Sequence, residues 1–167
     1  EDLIGLPASR ISEALQERET LGPTGVGNGV ALPHARLGDL SEVHGAFIRL
    51  ERPIAFESAD RQPVDLVFAL FAPANSGVDH LKALALVSRT LRDDALCAKL
   101  RANDDPATLH TLLTQGVAAK RPKGGSSAEI RTQDVAAIRI DAGLFQFSII
   151  DRLERVGFSH RLGSDGR

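Results

Sequence analysis

The sequence predicts a layered α/β or α+β domain, and three observations carry that reading. The stretch "VDLVFALFAP", residues 64–73, is almost continuously apolar and is stopped by proline. Such a run suits a central strand buried on both faces. The stretch "SGVDHLKALALVSRTLRDD", residues 76–94, places Leu81, Leu84, Ala85, Ser88 and Leu91 on one helical stripe. Strand-like and helix-like segments then interleave along 167 residues, and layering is how such elements bury their apolar faces.

The elements follow in order. "LPASRISEALQERETLG" reads as a helix, because Ile11, Ala14 and Leu15 share a face and Gly22 can end it. Residues 22–29, "GPTGVGNG", hold four glycines and a proline and read as a loop able to turn sharply. "VALPHA" is one short extended piece, with Pro33 biasing Leu32 towards extended geometry. Residues 42–56 alternate and carry β-branched and aromatic side chains, which predicts a strand. "ADRQP" is a turn before the central strand. "DALCAKLRAND" and "DPATLHTLLTQG" predict two further helices, the second opened by Pro106 and stopped by Gly116. Residues 117–129 have the composition of a linker. Beyond them a strand over 135–141 and a helix over 145–156 are expected. The apolar residues of 128–156 are too clustered for a solvated tail, so this segment is expected to pack on the domain.

Composition narrows the function. Hydrophobic residues make up 43% and charged residues 25%, with a net charge of -2. That balance suits a globular protein and offers no basic field for nucleic acid. One cysteine, Cys97, allows neither an internal disulfide nor a thiolate zinc site, and its amphipathic setting points to packing. No run is long and apolar enough for a membrane span, and "EDLIGLPASR" does not read as a signal peptide. A cytoplasmic location is expected. Tyrosine and tryptophan are both absent, which leaves little for base stacking.

The chemistry gathers around "GNGVALPHARLG", residues 27–38. His34 follows proline at the end of a glycine-rich run. A histidine there could be a base, a metal ligand, a nucleophile or a plain loop residue. No phosphate-loop or HExxH motif is present, and "GVGNG" is too short for a dinucleotide fingerprint. His34 and His44 are too far apart for a local metal pair. Arg18 precedes His34, Arg36 follows it, and His80 sits at an expected helix start, where free amides attract anions. A nucleophilic imidazole, a second imidazole, a guanidinium and free amides are what phosphoryl transfer requires. His44 reads as structural, and His110 and His160 show no partner pattern.

"RETLGPTGVGNGVALPHARL", residues 18–37, resembles the active-site signature of phosphotransferase-system enzyme IIA domains of the mannitol/fructose/nitrogen class. "TGVGNGVALPH" is nearest to the nitrogen-regulatory branch, and "RPIAFESADRQPVDLVFALFAPANSGVDHLKALALVSRTL" is similar to the same family. The resemblance spans roughly residues 5–115. It implies a mixed β-sheet flanked by helices, with residues 1–116 as the phosphoacceptor domain. It implies that His34 is phosphorylated through Nε2, that His80 supports the phosphoryl group and that Arg18 supplies charge beside it. Gly25, Gly27, Asn28 and Gly29 would shape the site. The implied donor is the phosphorylated histidine phosphocarrier protein, with no metal and no bound cofactor. Arg36 is not a hallmark of the family and stays a candidate for phosphate or partner contact.

Family members begin with a strand and a long helix that are not seen ahead of Glu1, and nothing after Gly116 matches a family feature. Residues 128–156 could replace those elements in a permuted arrangement or form an appended segment, and a homo-oligomer could cover the same surface. Three functions compete: a nitrogen-related regulatory phosphocarrier, a fructose- or mannitol-type transport IIA passing phosphate to an enzyme IIB, and a non-catalytic binding module on the same fold.

Overall fold

The computed structural model describes residues 5–120 and a further strand at 135–140. Its elements run α1 (Ala8–Glu19), β1 (Gly25–Gly27), β2 (Val30–Ala31), β3 (His34–Leu37), β4 (His44–Ile54), β5 (Val64–Pro73), α2 (Val78–Thr90), α3 (Asp94–Arg101), α4 (Pro106–Lys120) and β6 (Val135–Ile140).

The expected central strand is the centre. β5 pairs antiparallel with β4 on one side and parallel with both β2 and β3 on the other. The sheet order is β1-β2-β5-β4-β6, with β3 beside β5 off that path. Every residue of β5 is buried except Asp65, as its unbroken apolar run requires. Leu66, Phe68 and Leu70 pack with Ala83, Val87, Leu100, Leu109 and Leu113 of α2, α3 and α4. The alternate residues Ala69 and Phe71, with Ala35 and Leu37 of β3, pack against Ile11, Ala14 and Leu15 of α1. The helical face read from the sequence is therefore the face that α1 buries.

Four expectations change. The glycine-rich loop holds a strand: β1 pairs antiparallel with β2 across a turn at Asn28 and Gly29, whose φ angles are 54° and 73°. Two consecutive positive φ values fit the twist of a tight hairpin, and Asn-Gly is the pair that adopts them most readily. The extended piece 30–35 is split into β2 and β3. Pro33 has no N–H to give, yet its carbonyl accepts from Leu70 N–H at 2.9 Å, so the break stays attached to β5.

The buried face of α2 is His80, Ala83, Val87 and Thr90; of the expected stripe, Leu84 and Leu91 join the core, while Leu81 is 58% exposed. Helical periodicity alone could not separate the two faces, because apolar residues occur on both. Finally, Gly116 does not stop its helix, since α4 runs on to Lys120. A Cβ at Gly116 would lie 2.7 Å from Leu96 Cδ2 and 3.1 Å from Thr90 Cγ2. Glycine is there for close helix packing, and residues 117–120 of the expected linker are helical.

β6 lies parallel to β4, with Gly45 opposite Val135 and Leu50 opposite Ile140. The expected strand over 135–141 is thus met by an edge strand over 135–140. The rest of the expected linker and the helix over 145–156 lie outside the described residues.

Candidate functional site

Three elements bring the site together. Within β3, His34 and Arg36 point to one side while Ala35 and Leu37 enter the core. Arg18 stands one helical turn beyond Ala14 on the face of α1 that packs on β3. His80 stands in the first turn of α2, on its buried face and 4% exposed. Residues 16 and 46 positions from His34 in the chain are thereby placed beside it. Arg18 Nε donates to His34 Nε2 at 3.0 Å, and the rings of His34 and His80 lie 5.4 Å apart between centroids, tilted by 45°.

The hydrogen bonds of His34 fix its tautomer. Nδ1 lies 2.9 Å from the carbonyl oxygen of Leu32. That oxygen only accepts, so Nδ1 carries the proton. A guanidinium N–H only donates, so Nε2 facing Arg18 holds a lone pair. Both contacts call for the same neutral imidazole. Burial lowers the pKa of His34 below the ordinary histidine value; the bond to Leu32 opposes this, Arg18 adds to it, Glu19 opposes and Arg36 adds. Burial also lowers His80, helped by His34, Arg36 and Arg18. Nδ1 of His80 is buried without a hydrogen-bond partner.

The surroundings hold these groups still. Arg18 Nη1 donates to the Gly22 carbonyl at 3.1 Å, which spans the end of α1. Next to Arg18, Glu19 accepts from both Thr24 N–H at 2.8 Å and Thr24 Oγ1 at 2.6 Å. The cleft over His34 holds about 400 Å³ and is lined by Arg18, Arg36 and His80 with Leu21, Leu81 and Leu84, among others. Leu21 is 81% and Val78 63% exposed. Leu21, Leu81 and Leu84 give the cleft an apolar side, Glu17 adds a carboxylate, and two imidazoles and two guanidinium groups line the rest.

Arg18, His34 and His80 are thus assembled as the sequence suggested, and Arg36 joins them on the side of β3 that His34 faces. Gly25, Gly27, Asn28 and Gly29 do not line this cleft. They build the hairpin that leads into β2. A Cβ at Gly25 would lie 2.5 Å from the Glu57 carbonyl oxygen, and one at Gly29 would lie 2.7 Å from Arg101 Nη2. Asp60 accepts from Asn28 N–H at 2.8 Å, and Arg101 pairs with Asp65 while donating to the Asn28 carbonyl. Sequence reasoning missed Glu19, although "RET" puts it beside Arg18; no local pattern announces a bond from a helix end to a residue five places on. Cys97 is buried, its thiol pKa pushed up by that burial, as expected of packing. Among the described residues no helix is long and apolar enough to cross a membrane, and no group of three or more His, Cys, Asp or Glu is placed to hold a metal ion.

Comparison with known proteins places the fold. Residues 3–116 match the family described as "Phosphoenolpyruvate-dependent sugar phosphotransferase system, EIIA 2". A nitrogen regulatory protein of Bradyrhizobium diazoefficiens is 51% identical over 112 residues, covering 67% of this chain and 73% of that protein. The "PTS system fructose-specific EIIA component" of Haloferax volcanii is 36% identical over 105 residues, covering 63% and 68%. The crystal structure of nitrogen regulatory protein IIA-Ntr from Neisseria meningitidis superimposes with a TM-score of 0.61 at 30% identity, covering 72% of this chain and 78% of that one. The mixed sheet flanked by helices is therefore the fold of a phosphotransferase-system component, and the chain belongs to the EIIA 2 family.

Proposed function

We propose that the chain is a phosphocarrier that receives a phosphoryl group on His34 Nε2 from the phosphorylated histidine phosphocarrier protein and acts as a nitrogen-related regulator. One observation carries this reading: the Leu32 carbonyl accepts a hydrogen bond from Nδ1–H, which leaves the Nε2 lone pair turned to the cleft beside Arg18 and His80. An unprotonated imidazole nitrogen is the nucleophile such a transfer needs.

In the step itself, the Nε2 lone pair forms the new N–P bond as the N–P bond to the donor histidine breaks. The electron pair of the broken bond stays on the donor nitrogen. Nδ1 keeps its proton, held by Leu32. Arg18 gives up its bond to Nε2 as phosphorus approaches and turns its donors to the phosphoryl oxygens. Arg36 and His80 stand around the same oxygens. Charge on the transferring group sits mostly on these oxygens, so fixed donors and cations are the main catalytic contribution available. No metal and no bound cofactor enters the step.

The rim supports docking of a second protein. Leu21 and Leu81 are large apolar side chains left exposed beside the imidazoles and guanidinium groups of the cleft. An apolar surface with polar groups near it is the anatomy of a transient interface. A phosphoryl group on His34 then adds negative charge and acceptors at the centre of that surface, which changes what it binds. The regulatory reading follows the relative at 51% identity, named a nitrogen regulatory protein; a cytoplasmic location belongs to the same reading.

The test is to incubate the protein with phosphoenolpyruvate, enzyme I and the phosphocarrier protein, then map acid-labile phosphate by mass spectrometry. One phosphate on His34 is expected. Stoichiometric phosphate on another residue, or none, overturns the reading. The similarity to a fructose-specific EIIA component favours a second reading, transport, in which phosphate passes on to an enzyme IIB. Rapid loss of label to a fructose- or mannitol-type IIB would decide for it.

A further inference from the structure

We infer that Glu19 is a positioning residue for His34: through Thr24 it holds residue Leu32 by its N–H, and the carbonyl of that same residue locks the imidazole. The inference rests on His34 being the phosphoacceptor.

The connection is a chain of hydrogen bonds. Glu19 is the last residue of α1. Its two carboxylate oxygens accept separately from Thr24, one from the backbone N–H at 2.8 Å and one from the hydroxyl at 2.6 Å. Thr24 is buried, at 5% exposure. Its carbonyl accepts from Leu32 N–H at 3.0 Å. Leu32, itself buried, presents its own carbonyl to His34 Nδ1 at 2.9 Å. The next peptide is held on the other side, where the Pro33 carbonyl accepts from Leu70 N–H. The Leu32–Pro33 segment therefore hangs between β5 and Thr24, and Thr24 hangs on Glu19.

A two-point grip by a carboxylate fixes both the position and the rotation of the group it holds. Arg18, the neighbour of Glu19, needs the same helix end to place its guanidinium on Nε2. Glu19 thus ties the two sides of His34 together: its own helix carries the donor to Nε2, and its carboxylate anchors the acceptor for Nδ1-H. A slack Leu32 carbonyl would let the ring adopt the other tautomer, whose Nε2 carries a proton and cannot attack. A group that acts by holding a reactive ring in one orientation affects the rate far more than the binding of the partner.

The experiment is nitrogen-15 NMR of the His34 ring at pH 7.5 in the full chain and in Glu19→Ala, alongside transfer kinetics from the phosphorylated phosphocarrier. The wild-type ring is expected as a single tautomer with protonated Nδ1. In Glu19→Ala the two ring signals should move towards a tautomer mixture, with kcat lower by roughly tenfold or more and KM for the donor little changed. Glu19→Gln keeps one acceptor and should restore much of the loss. Thr24→Val removes only the hydroxyl bond and serves if Glu19→Ala fails to fold. A folded variant with unmoved ring signals overturns the inference. The ring measurement needs no phosphate, so failure of His34 to take label would count against the function alone.

Discussion

At the scale of single residues, burial biases two histidines towards the neutral form. Both imidazoles titrate below the ordinary histidine value, chiefly through burial. The folded state therefore binds fewer protons than the unfolded chain on the acid side of about 6.5, the unperturbed histidine value. The stability that the neutral rings contribute is fully present above that value and is lost as pH falls through the lowered ones. Unfolding free energy measured by denaturant titration should fall between pH 7 and pH 5, and less steeply in a His34→Gln, His80→Gln double variant. Equal slopes would mean that the rings are not linked to folding. Phosphoryl acceptance should likewise persist to a lower pH than an exposed histidine allows. His80→Ala should leave the label on His34 and slow its arrival roughly tenfold or more, the scale of losing one stabilising group at a transferring oxyanion; a wild-type rate would leave His80 with packing alone.

Arg18, His34 and Arg36 were readable from "RETLGPTGVGNGVALPHARL" because their chemistry is local, a histidine after proline, an arginine, a glycine run, and His80 was readable from its place at an expected helix start. Their convergence was not readable. His34 and His80 meet because β3 lies beside β5 and the chain returns from β5 into α2, a fact of strand pairing rather than of composition. Glu19 was invisible for the same reason, since it reaches His34 only through three successive contacts, with Thr24, from Thr24 to Leu32, and from Leu32 to the ring.

At the scale of elements, the strongest sequence signals were those with one physical cause. β5 was plain because burial on both faces demands an unbroken apolar run. The face of α1 was plain because only one stripe of it is apolar. Elements with two causes misled. The glycines of 22–29 suggest freedom, and they do permit the turn, yet Asn28 and Gly29 use that freedom to close a hairpin. Gly116 looked like a helix stop and is a packing contact instead. It gives a prediction: Gly116→Val should destabilise the fold by about 1–3 kcal/mol, the range for forcing extra atoms into a packed interior, seen as a lower midpoint in thermal unfolding. An unchanged midpoint would show that Leu96 and Thr90 yield without cost.

At the scale of the whole molecule, the family match ends at residue 116 while the sheet continues into β6. We propose that β6 belongs to the same layered domain. β6 covers the edge of β4 from Gly45 to Leu50, and an uncovered edge is a template for pairing with another chain. A chain ending at Lys120 should melt several degrees lower and associate at high concentration, which calorimetry and light scattering would show. A monomer of unchanged stability would mean that β6 covers nothing the fold needs. At this scale also lies the docking face. Leu81→Glu, on the exposed side of α2, should raise KM for the phosphorylated donor severalfold with little change in kcat, because a charge at an apolar contact weakens binding without touching the imidazole. Unchanged KM would place the donor elsewhere.

The central claim is that His34 attacks through Nε2 because Leu32 holds the proton on Nδ1. It is tested most directly by nitrogen-15 and phosphorus-31 NMR of the chain phosphorylated by enzyme I and the phosphocarrier protein. The expected spectrum shows phosphorus coupled to Nε2 of His34, with Nδ1 still protonated. Phosphorus on Nδ1 of His34, or on His80, would contradict the claim.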